Sequence, residues 1–471
     1  MLSTNKLIYN SDIAFGTSGA RGLAVHFTSN VCAAFTHAFI AVALRSFKFD
    51  SIAIAIDNRP SSYAMAQACA MAAKQAGIKP VFYGVIPTPA LACHSMETGI
   101  PAVMVTGSHI PFDRNGLKFY RPDGEISKAD EKAILETDIS FESVSKLPDL
   151  YVSDDAKLTY LQRYKVFASP AIVGKRVGIY EHSSAGRDLY RELFSDLGAE
   201  VISLGRSEEF IPIDTEAVSE EDRVRAREWV AQYDLDLLFS TDGDGDRPLL
   251  AGEDGEWLRG DVLGILCAQT LGIEALAVPV SCNTAIEQCG AFTEVNRTRI
   301  GSPYVIDAFA DLNSRFAKVA GFEANGGFLL GSDIRLNDQQ IKALPTRDAL
   351  LPVLAVLSLA KNGIVPLVQQ LPQRFTASDR IKNFATDKSK AMITKAIEAP
   401  VEFMEKLGYS SVLVDSVNTV DGFRISLENG DIIHLRPSGN APELRCYVES
   451  DTPDSAQSLV NMTLKQILML D

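Results

Sequence analysis

The sequence predicts an α/β fold assembled from several domains, and three observations carry that prediction. The chain has 471 residues, more than one hydrophobic core supports and enough for about three or four domains. Short apolar runs of strand length alternate with longer helical segments, the pattern of a doubly wound sheet. A strand–loop–helix–strand order appears in the N-terminal third and recurs after residue 175. With 46% hydrophobic and 22% charged residues, the composition is that of an ordinary globular protein, not a disordered or membrane one.

The same numbers exclude several functional classes. A net charge of -15 argues against a general nucleic-acid binder while leaving room for a local basic pocket. No uninterrupted apolar run is long enough to span a bilayer, so no membrane partner is expected. Met1 to Lys6 lack the basic-then-apolar order of a signal peptide, and the expected location is cytoplasmic. The seven cysteines (Cys32, Cys69, Cys93, Cys267, Cys282, Cys289 and Cys446) lie mostly in apolar segments without CxxC or CxxH spacing. They read as buried free thiols, not as a zinc site or a disulfide framework.

In chain order, Phe15 to Gly22 form a glycine-rich loop with hydroxyls and Arg21. Closely spaced glycines let backbone N–H groups approach an anion, and arginine adds a charged fork; a plain flexible turn fits the same residues. Val31 to Leu44 read as a buried helix and Ser51 to Ile56 as a strand. A helix is expected from about Tyr63 to Gly77, capped by Ser61 or Ser62. Pro80 to Ile86 hold another strand, followed by Pro87-Thr88-Pro89. Ala102 to Val105 form a buried strand that opens into Thr106-Gly107-Ser108-His109-Ile110-Pro111, and the turn-forming residues continue to Lys118. Ser108 is the candidate nucleophile and phosphate carrier, because strand-end loops of α/β sheets are where sites are built. The alternative is an ordinary turn in which serine bonds its own backbone. The charged, less periodic stretch from Lys128 to about Leu158 marks the end of a first domain, 1–150.

The second domain, 151–255, repeats the pattern with strands at Lys175 to Tyr180, Ala199 to Leu204 and Asp234 to Phe239. The last opens into Asp242-Gly243-Asp244-Gly245-Asp246-Arg247. Three carboxylates separated by glycines converge on one hard cation such as Mg²⁺. An EF-hand loop would need glycine where Arg247 stands, and it would leave a helix instead of a strand. An acidic surface turn is disfavoured, since clustered like charges cost energy without a cation. In the third domain, 256–370, strands at Leu276 to Val280 and Lys318 to Ala320 precede Glu323 and Asn325 on a glycine-rich turn. Such groups suit sugar hydroxyls, while a plain turn is the better reading of these residues taken alone; Arg299 to Tyr304, with Gly301, precede them as candidates for the same site. The last domain, 371–471, reads strand, helix (about Asp387 to Leu407), strands, helix (about Asp454 to Leu470). Its Arg436-Pro437-Ser438-Gly439-Asn440 loop, with Arg445 on the next strand, makes a phosphate nest; a surface hairpin with incidental arginines is the alternative.

Taken together, these stretches resemble the α-D-phosphohexomutase family, in particular its phosphomannomutase/phosphoglucomutase branch, along the whole chain. Phe15 to Gly22 look like the family's opening loop, and Thr106 to Pro111 like its phosphoserine loop, usually T-A-S-H-N-P. Asn115 to Lys118 match N-G-x-K, Asp242 to Arg247 the metal loop, and Arg436 to Asn440 the R-P-S-G-T phosphate loop. The resemblance implies three topologically similar mixed-sheet α/β domains and a C-terminal α+β domain with an antiparallel sheet, around a central cleft. It implies a mutase that interconverts hexose 6-phosphate and hexose 1-phosphate, mannose first, through phosphorylated Ser108 and a hexose 1,6-bisphosphate, which also serves as activator. Mg²⁺ would be held by phosphorylated Ser108, Asp242, Asp244 and Asp246. Lys118 and Arg21 would be the acid–base and charge-stabilising groups, with neighbouring cations depressing the lysine pKa. His109 would orient the serine loop or only pack. Thr17, Arg247, Gly301, Glu323, Asn325, Arg436, Ser438, Gly439, Asn440 and Arg445 would bind the phosphosugar. A monomer or homodimer is expected.

Two loops depart from the family pattern. The sugar loop of relatives is often G-E-M-S-G-H, whereas here Asn325 replaces the serine and Gly327 stands where histidine is common. Asn440 replaces a threonine and Ala441 a glutamate. These changes leave open a phosphoglucomutase or dual-specificity enzyme, with phosphoglucosamine mutase further off. A metal-dependent phosphatase or aspartyl-phosphate transferase using the Asp242 loop, and an inactive sugar-phosphate binder, are the readings from other classes.

Overall fold

The computed structural model describes residues 1–16, 18–336, 338–409, 413–438 and 442–470. Four main sheets carry the chain, each with its own helices. In the first, strand Lys79–Val85 pairs with Ser51–Ile56, which pairs with Ala102–Val105, which pairs with Arg114–Arg121; Ala20–Leu23 and Ala14–Phe15 extend that edge. The first three of these strands are parallel and Arg114–Arg121 is antiparallel.

The alternation in Ser51–Ile56 explains how this sheet is covered on both faces. Ile52, Ile54, Ile56, Val103 and Val105 meet helices Ser29–Ala43 and Ser62–Gln75. Ala53, Ala55, Ala102 and Met104 point the other way, toward helix Thr88–Thr98. Successive strand side chains face opposite sides, so both faces stay apolar and the strands are buried, as parallel strands need to be.

The same order recurs twice. Glu200–Leu204, Arg176–Tyr180, Leu237–Thr241 and Pro248–Ala251 form the second sheet, and Glu294–Thr298, Ala275–Pro279, Val319–Phe322 and Phe328–Leu330 open the third. In each unit the first three strands in sequence are parallel, the first lies between the second and third, and the fourth returns antiparallel beside the third. The third sheet adds Leu344–Asp348 beside its fourth strand. One apolar cluster runs through all three units, from Ala90 and Tyr160 through Phe194 and Phe239 to Phe322 and Leu354. Tyr160 donates to Asp348 Oδ1 at 2.6 Å, and Tyr164 donates to its other oxygen, pinning the helix Asp155–Tyr164 to the third sheet.

The C-terminal sheet is antiparallel throughout: Phe375–Lys382, Glu443–Ser450, Ile432–Pro437, Phe423–Leu427 and Val414–Asn418. It has a separate core. It meets the third unit through Asn283 Nδ2 on the Arg374 carbonyl (2.7 Å), the Thr284 amide on Glu449 Oε2 (2.9 Å) and the Ile300 amide on Asp421 Oδ2 (3.1 Å). The seven cysteines are free, all buried except the partly buried Cys289. No helix among the described residues is long and apolar enough to cross a membrane.

Several local expectations are corrected. Ser61 stands at the N-cap position of its helix, one of the two expected, but its side chain makes no cap bond: Ser61 Oγ accepts from Asn115, and Ser62 Oγ donates to Asp57. Pro87-Thr88-Pro89 open a helix, Thr88–Thr98, which the sequence reading missed. Proline in a first turn forfeits no hydrogen bond, and Gly99 ends the helix at φ 69°. Lys128–Glu136 is also a helix, started by the reciprocal Ser127–Asp130 box. Asn115 to Lys118 belong to a strand, not a loop. The strand before the aspartate loop begins at Leu237 because Asp234, at φ 51°, terminates the preceding helix. The expected Asp387–Leu407 helix is two, Thr386–Glu398 and Pro400–Lys406, since Pro400 cannot donate an interior helix bond.

Two buried histidines link the fold to pH. His182 and His434 each face a backbone carbonyl, of Thr241 and Asp421, and burial pushes both from 6.5 down to about 4. The unfolded chain therefore holds more protons between those values, so stability is full above about 6.5 and falls as pH drops toward about 4. Melting temperature against pH should show that fall, and His434→Gln, which keeps a donor, should make it shallower; an unchanged slope would contradict the assignment.

Candidate active site

In each α/β unit a short loop joins the third and fourth strands: residues 106–113, 242–247 and 323–327. The three loops meet. Ser108 Oγ donates to Asp242 Oδ2 at 2.7 Å, across two domains. Ser108 is fully buried and holds φ 56°, a left-handed conformation that costs a non-glycine residue energy.

Residues from the first unit hold that strained turn. The Arg59 guanidinium donates to the carbonyls of Ser108 (2.8 Å), Ile110 (2.5 Å), Pro111 (2.6 Å) and Arg114 (3.0 Å). Its Nε pairs with Asp57 at 3.1 Å. Asp57 accepts from Thr106 Oγ1 at 2.7 Å, and Thr106 Oγ1 accepts from the Ser108 amide at 2.8 Å. Asn115 donates to Ser61 and Ser62, so it ties the neighbouring helix to this frame.

The aspartate loop is buried. Gly245, at φ 72° and with Tyr190 and Pro87 within 2.7 Å of where a Cβ would stand, lets it curl. Asp242, Asp244 and Asp246 each offer an oxygen within 4.8 Å of the others. Lys118 Nζ donates to Asp244 Oδ2 (2.5 Å) and Asp246 Oδ2 (2.8 Å). Thr88 donates to Asp244 Oδ2 at 2.6 Å. Burial, then Asp244 and Asp246, raises the Asp242 carboxyl well above its usual range. Burial also pushes Asp246 up, but Arg347, Lys118 and Arg247 outweigh it and hold Asp246 far below.

These residues fit a divalent cation. Among the described residues, the buried Asp244 Oδ1 and Asp246 Oδ1 have no hydrogen-bond partner, and buried carboxylate oxygens left in that state are costly. A hard-oxygen donor set matches Mg²⁺ or a similar ion.

Cations surround the serine. Arg247 Nη1 donates to His109 Nδ1 at 2.9 Å, and that nitrogen lies 3.4 Å from Ser108 Oγ. Burial, then Arg247 and Arg21, pushes His109 down to about 2, so the imidazole is neutral and accepts. Burial and the Arg247 charge lower Arg21 to about 10. Guanidinium groups crowded this closely form a site for a multiply charged anion. The cations expected directly beside Lys118 are instead carboxylates.

Glu323, on the third loop, accepts from Arg347 at 3.2 Å, and the Asn325 side chain accepts from the Gly327 amide at 3.0 Å. Gly301 begins the helix Ser302–Asn313 at φ 133°. Arg436 and Arg445 are paired neighbours on the C-terminal sheet, and Ser438 is buried at the end of that strand. Among the described residues, no hydrogen bond joins Gly301, Asn325, Arg436 or Arg445 to the serine and aspartates, though Glu216 lies within the fields of both Arg247 and Arg445. Thr17, Gly439 and Asn440 lie outside the described residues.

Arg59, Thr88 and Arg347 were missed in the sequence. Arg347 and Asp348 did carry a signal: charges inside the apolar run from Ala343 to Leu351 must be buried and paired.

The family follows from comparison with known proteins. A phosphomannomutase of Salmonella muenchen is 56% identical over 467 residues, covering 99% of this chain and 98% of the relative. The chain belongs to the phosphoglucomutase/phosphomannomutase family. Profiles of that family match residues 12–141 (α/β/α domain I), 259–377 (α/β/α domain III) and 381–466 (C-terminal domain). A phosphomannomutase of Sinorhizobium fredii is 42% identical, covering 95% of this chain and 97% of the relative. The crystal structure of a phosphoglucomutase/phosphomannomutase family protein from Burkholderia thailandensis aligns with a TM-score of 0.75 at 19% identity, covering 99% of this chain and 98% of that one. That last likeness concerns the fold, and the four-domain architecture of the family is the one described above.

Metal ligands bind deprotonated, and burial with two neighbouring carboxylates raises the Asp242 carboxyl. Mg²⁺ binding should therefore tighten, and release protons, as pH rises through the range in which Asp242 titrates, and both effects should be lost in Asp242→Asn. Calorimetry in buffers of different ionisation heat reads this directly; no buffer dependence would contradict it.

Proposed function

We propose that this chain is a phosphohexomutase that interconverts mannose 6-phosphate and mannose 1-phosphate, with a hexose 1,6-bisphosphate as intermediate and activator. The observation that carries the reading is the Ser108 hydroxyl at 2.7 Å from Asp242, at the edge of the aspartate cluster. A hydroxyl placed there is suited to carry a phosphoryl group beside a cation. Asp242, Asp244, Asp246 and phosphorylated Ser108 would hold Mg²⁺, which would supply positive charge for the transferring group.

The protein's own residues do the rest. The Arg59 cradle holds Ser108 in one orientation, which matters because phosphoryl transfer depends on positioning and electrostatics. His109, kept neutral by burial and by Arg247, fixes the loop without adding a second charge. Arg21 and Arg247 stabilise the oxygens of the phosphoryl group, and Thr17 lies on the same opening loop as Arg21. Arg436, Ser438, Gly439, Asn440 and Arg445 grip the phosphate already on the sugar, while Gly301, Glu323 and Asn325 meet the ring. In the first half-reaction the bond from Ser108 Oγ to phosphorus breaks and a bond from the free sugar hydroxyl forms. The hydroxyl proton leaves toward the carboxylate–Lys118 group. The bisphosphate turns over, its other phosphate returns to Ser108, and the proton returns to the newly freed sugar oxygen. Mannose is favoured because the relatives at 56% and 42% identity are phosphomannomutases; monomer or homodimer is the assembly that fits a site completed within one chain. An aspartate-loop phosphatase is disfavoured because Asp242, its nucleophile, is already held by Ser108.

Phosphorus NMR with mannose 6-phosphate, glucose 6-phosphate or glucosamine 6-phosphate, Mg²⁺ and catalytic glucose 1,6-bisphosphate tests the reading. Mannose 1-phosphate should form fastest, and Ser108→Ala should lower the rate by about 10³-fold or more. Free phosphate as the product, undiminished in Ser108→Ala, would overturn it.

A further inference from the structure

Arg347 stands where the sugar loop lacks a side chain. It lies on strand Leu344–Asp348, whose Asp348 is paired with Phe328 of the neighbouring strand. A Cβ built on Gly327 would fall 2.5 Å from Arg347 Cδ, 2.6 Å from Cγ and 2.9 Å from Cβ. Gly327 has no backbone conformation that requires glycine; what keeps a side chain out is the arginine stem.

That stem cannot swing aside at low cost. Arg347 is 2% exposed, and its guanidinium is bound at each nitrogen. Nε and Nη2 donate to Asp246 Oδ2 at 3.0 and 2.9 Å. Nη1 donates to Ser302 Oγ and to Glu323 Oε2, both at 3.2 Å. One cation thus joins the metal loop, the sugar loop and the first turn of the helix that follows Gly301. Lysine offers no such planar fork.

We propose that Arg347 is the positioning residue that replaces the side chain missing at position 327, fixing Glu323 of the sugar loop against Asp246 of the metal loop. The assignment rests on the mutase reading for its role toward substrate, but not for its geometry. A guanidinium keeps its proton at any working pH, so Arg347 orients and compensates charge and moves no proton. Because a side chain at 327 and the Arg347 stem would occupy the same space, positions 327 and 347 are a coupled pair.

Three readouts test this, and two need no turnover. The first is thermal unfolding of Gly327→Ala, Gly327→His, Arg347→Gly and the double variants. Overpacking should lower the melting temperature of each Gly327 variant by roughly 3 to 10 °C with Arg347 present, and Arg347→Gly should remove most of that penalty. The second is Mg²⁺ affinity by calorimetry: Arg347→Met, which keeps the stem but frees Asp246 of a competing cation, should bind Mg²⁺ several-fold more tightly. The third is kinetic: Arg347→Met should raise the KM for the sugar phosphate by roughly 10-fold or more through loss of oriented Glu323, with Arg347→Lys recovering part. Additive effects at 327 and 347, or Mg²⁺ affinity unchanged or weaker in Arg347→Met, would overturn the proposal. Absence of mutase activity in the parent protein, with the first two results as expected, would instead sink only the reaction assigned to the site.

Discussion

Three carboxylates buried on one six-residue loop are the constraint that the rest of the structure answers. Their mutual repulsion in a low-dielectric interior is large, and the second unit supplies only Arg247 against it, with its Nε 3.6 Å from Asp246. The closer cations come from elsewhere: Lys118 from the first sheet and Arg347 from the third. Thr88, at the start of a helix in the first unit, adds a neutral donor. The electrostatic deficit of the second domain therefore fixes its placement between the other two. The apolar cluster that runs through all three units makes that placement rigid. The C-terminal unit, with its separate core and polar contacts to the third unit, is held by a different kind of interface, the kind that favours relative domain motion.

Repetition explains how chemistry so varied reaches one place. Each α/β unit has the same order of four strands, and the loop between its third and fourth strands carries the unit's contribution: Ser108, the aspartates, or Glu323 with Asn325. Packing three similar sheets about a shared core brings equivalent loops together, so residues of different chemistry reach one place on one scaffold. The strain at Ser108 belongs to the same logic. A left-handed serine costs energy, and Arg59, bonded to four carbonyls of its loop, is the compensation.

Much of this was legible in the sequence, for definite reasons. Ser51 to Ile56 and Ala102 to Val105 were read with the bounds the structure gives them, because small and branched residues bounded by turn formers leave little else possible. The aspartate loop was legible because glycine-spaced carboxylates have few other uses. The helix Thr88–Thr98 was not, since two prolines that look like a loop are also a helix start. Nor was Arg347. Its importance lies in a contact with position 327 across adjacent strands and with Asp246 from another domain, and no local pattern encodes either. Lys118 was picked for its spacing from Ser108, yet its partners are carboxylates 126 and 128 residues away. Local chemistry is visible in a chain; the charges that compensate it across domains are not.

The central claim is that Ser108 is the phosphate carrier, and peptide mass spectrometry tests it most directly. The protein would be analysed after incubation with glucose 1,6-bisphosphate and Mg²⁺, and again after mannose 6-phosphate or glucose 6-phosphate is added. The account predicts one phosphate on the Ser108 peptide, discharged by the sugar phosphate and faster by mannose 6-phosphate. A Ser108 peptide that stays unmodified under every condition, while the protein still isomerises the sugar phosphate, would contradict it.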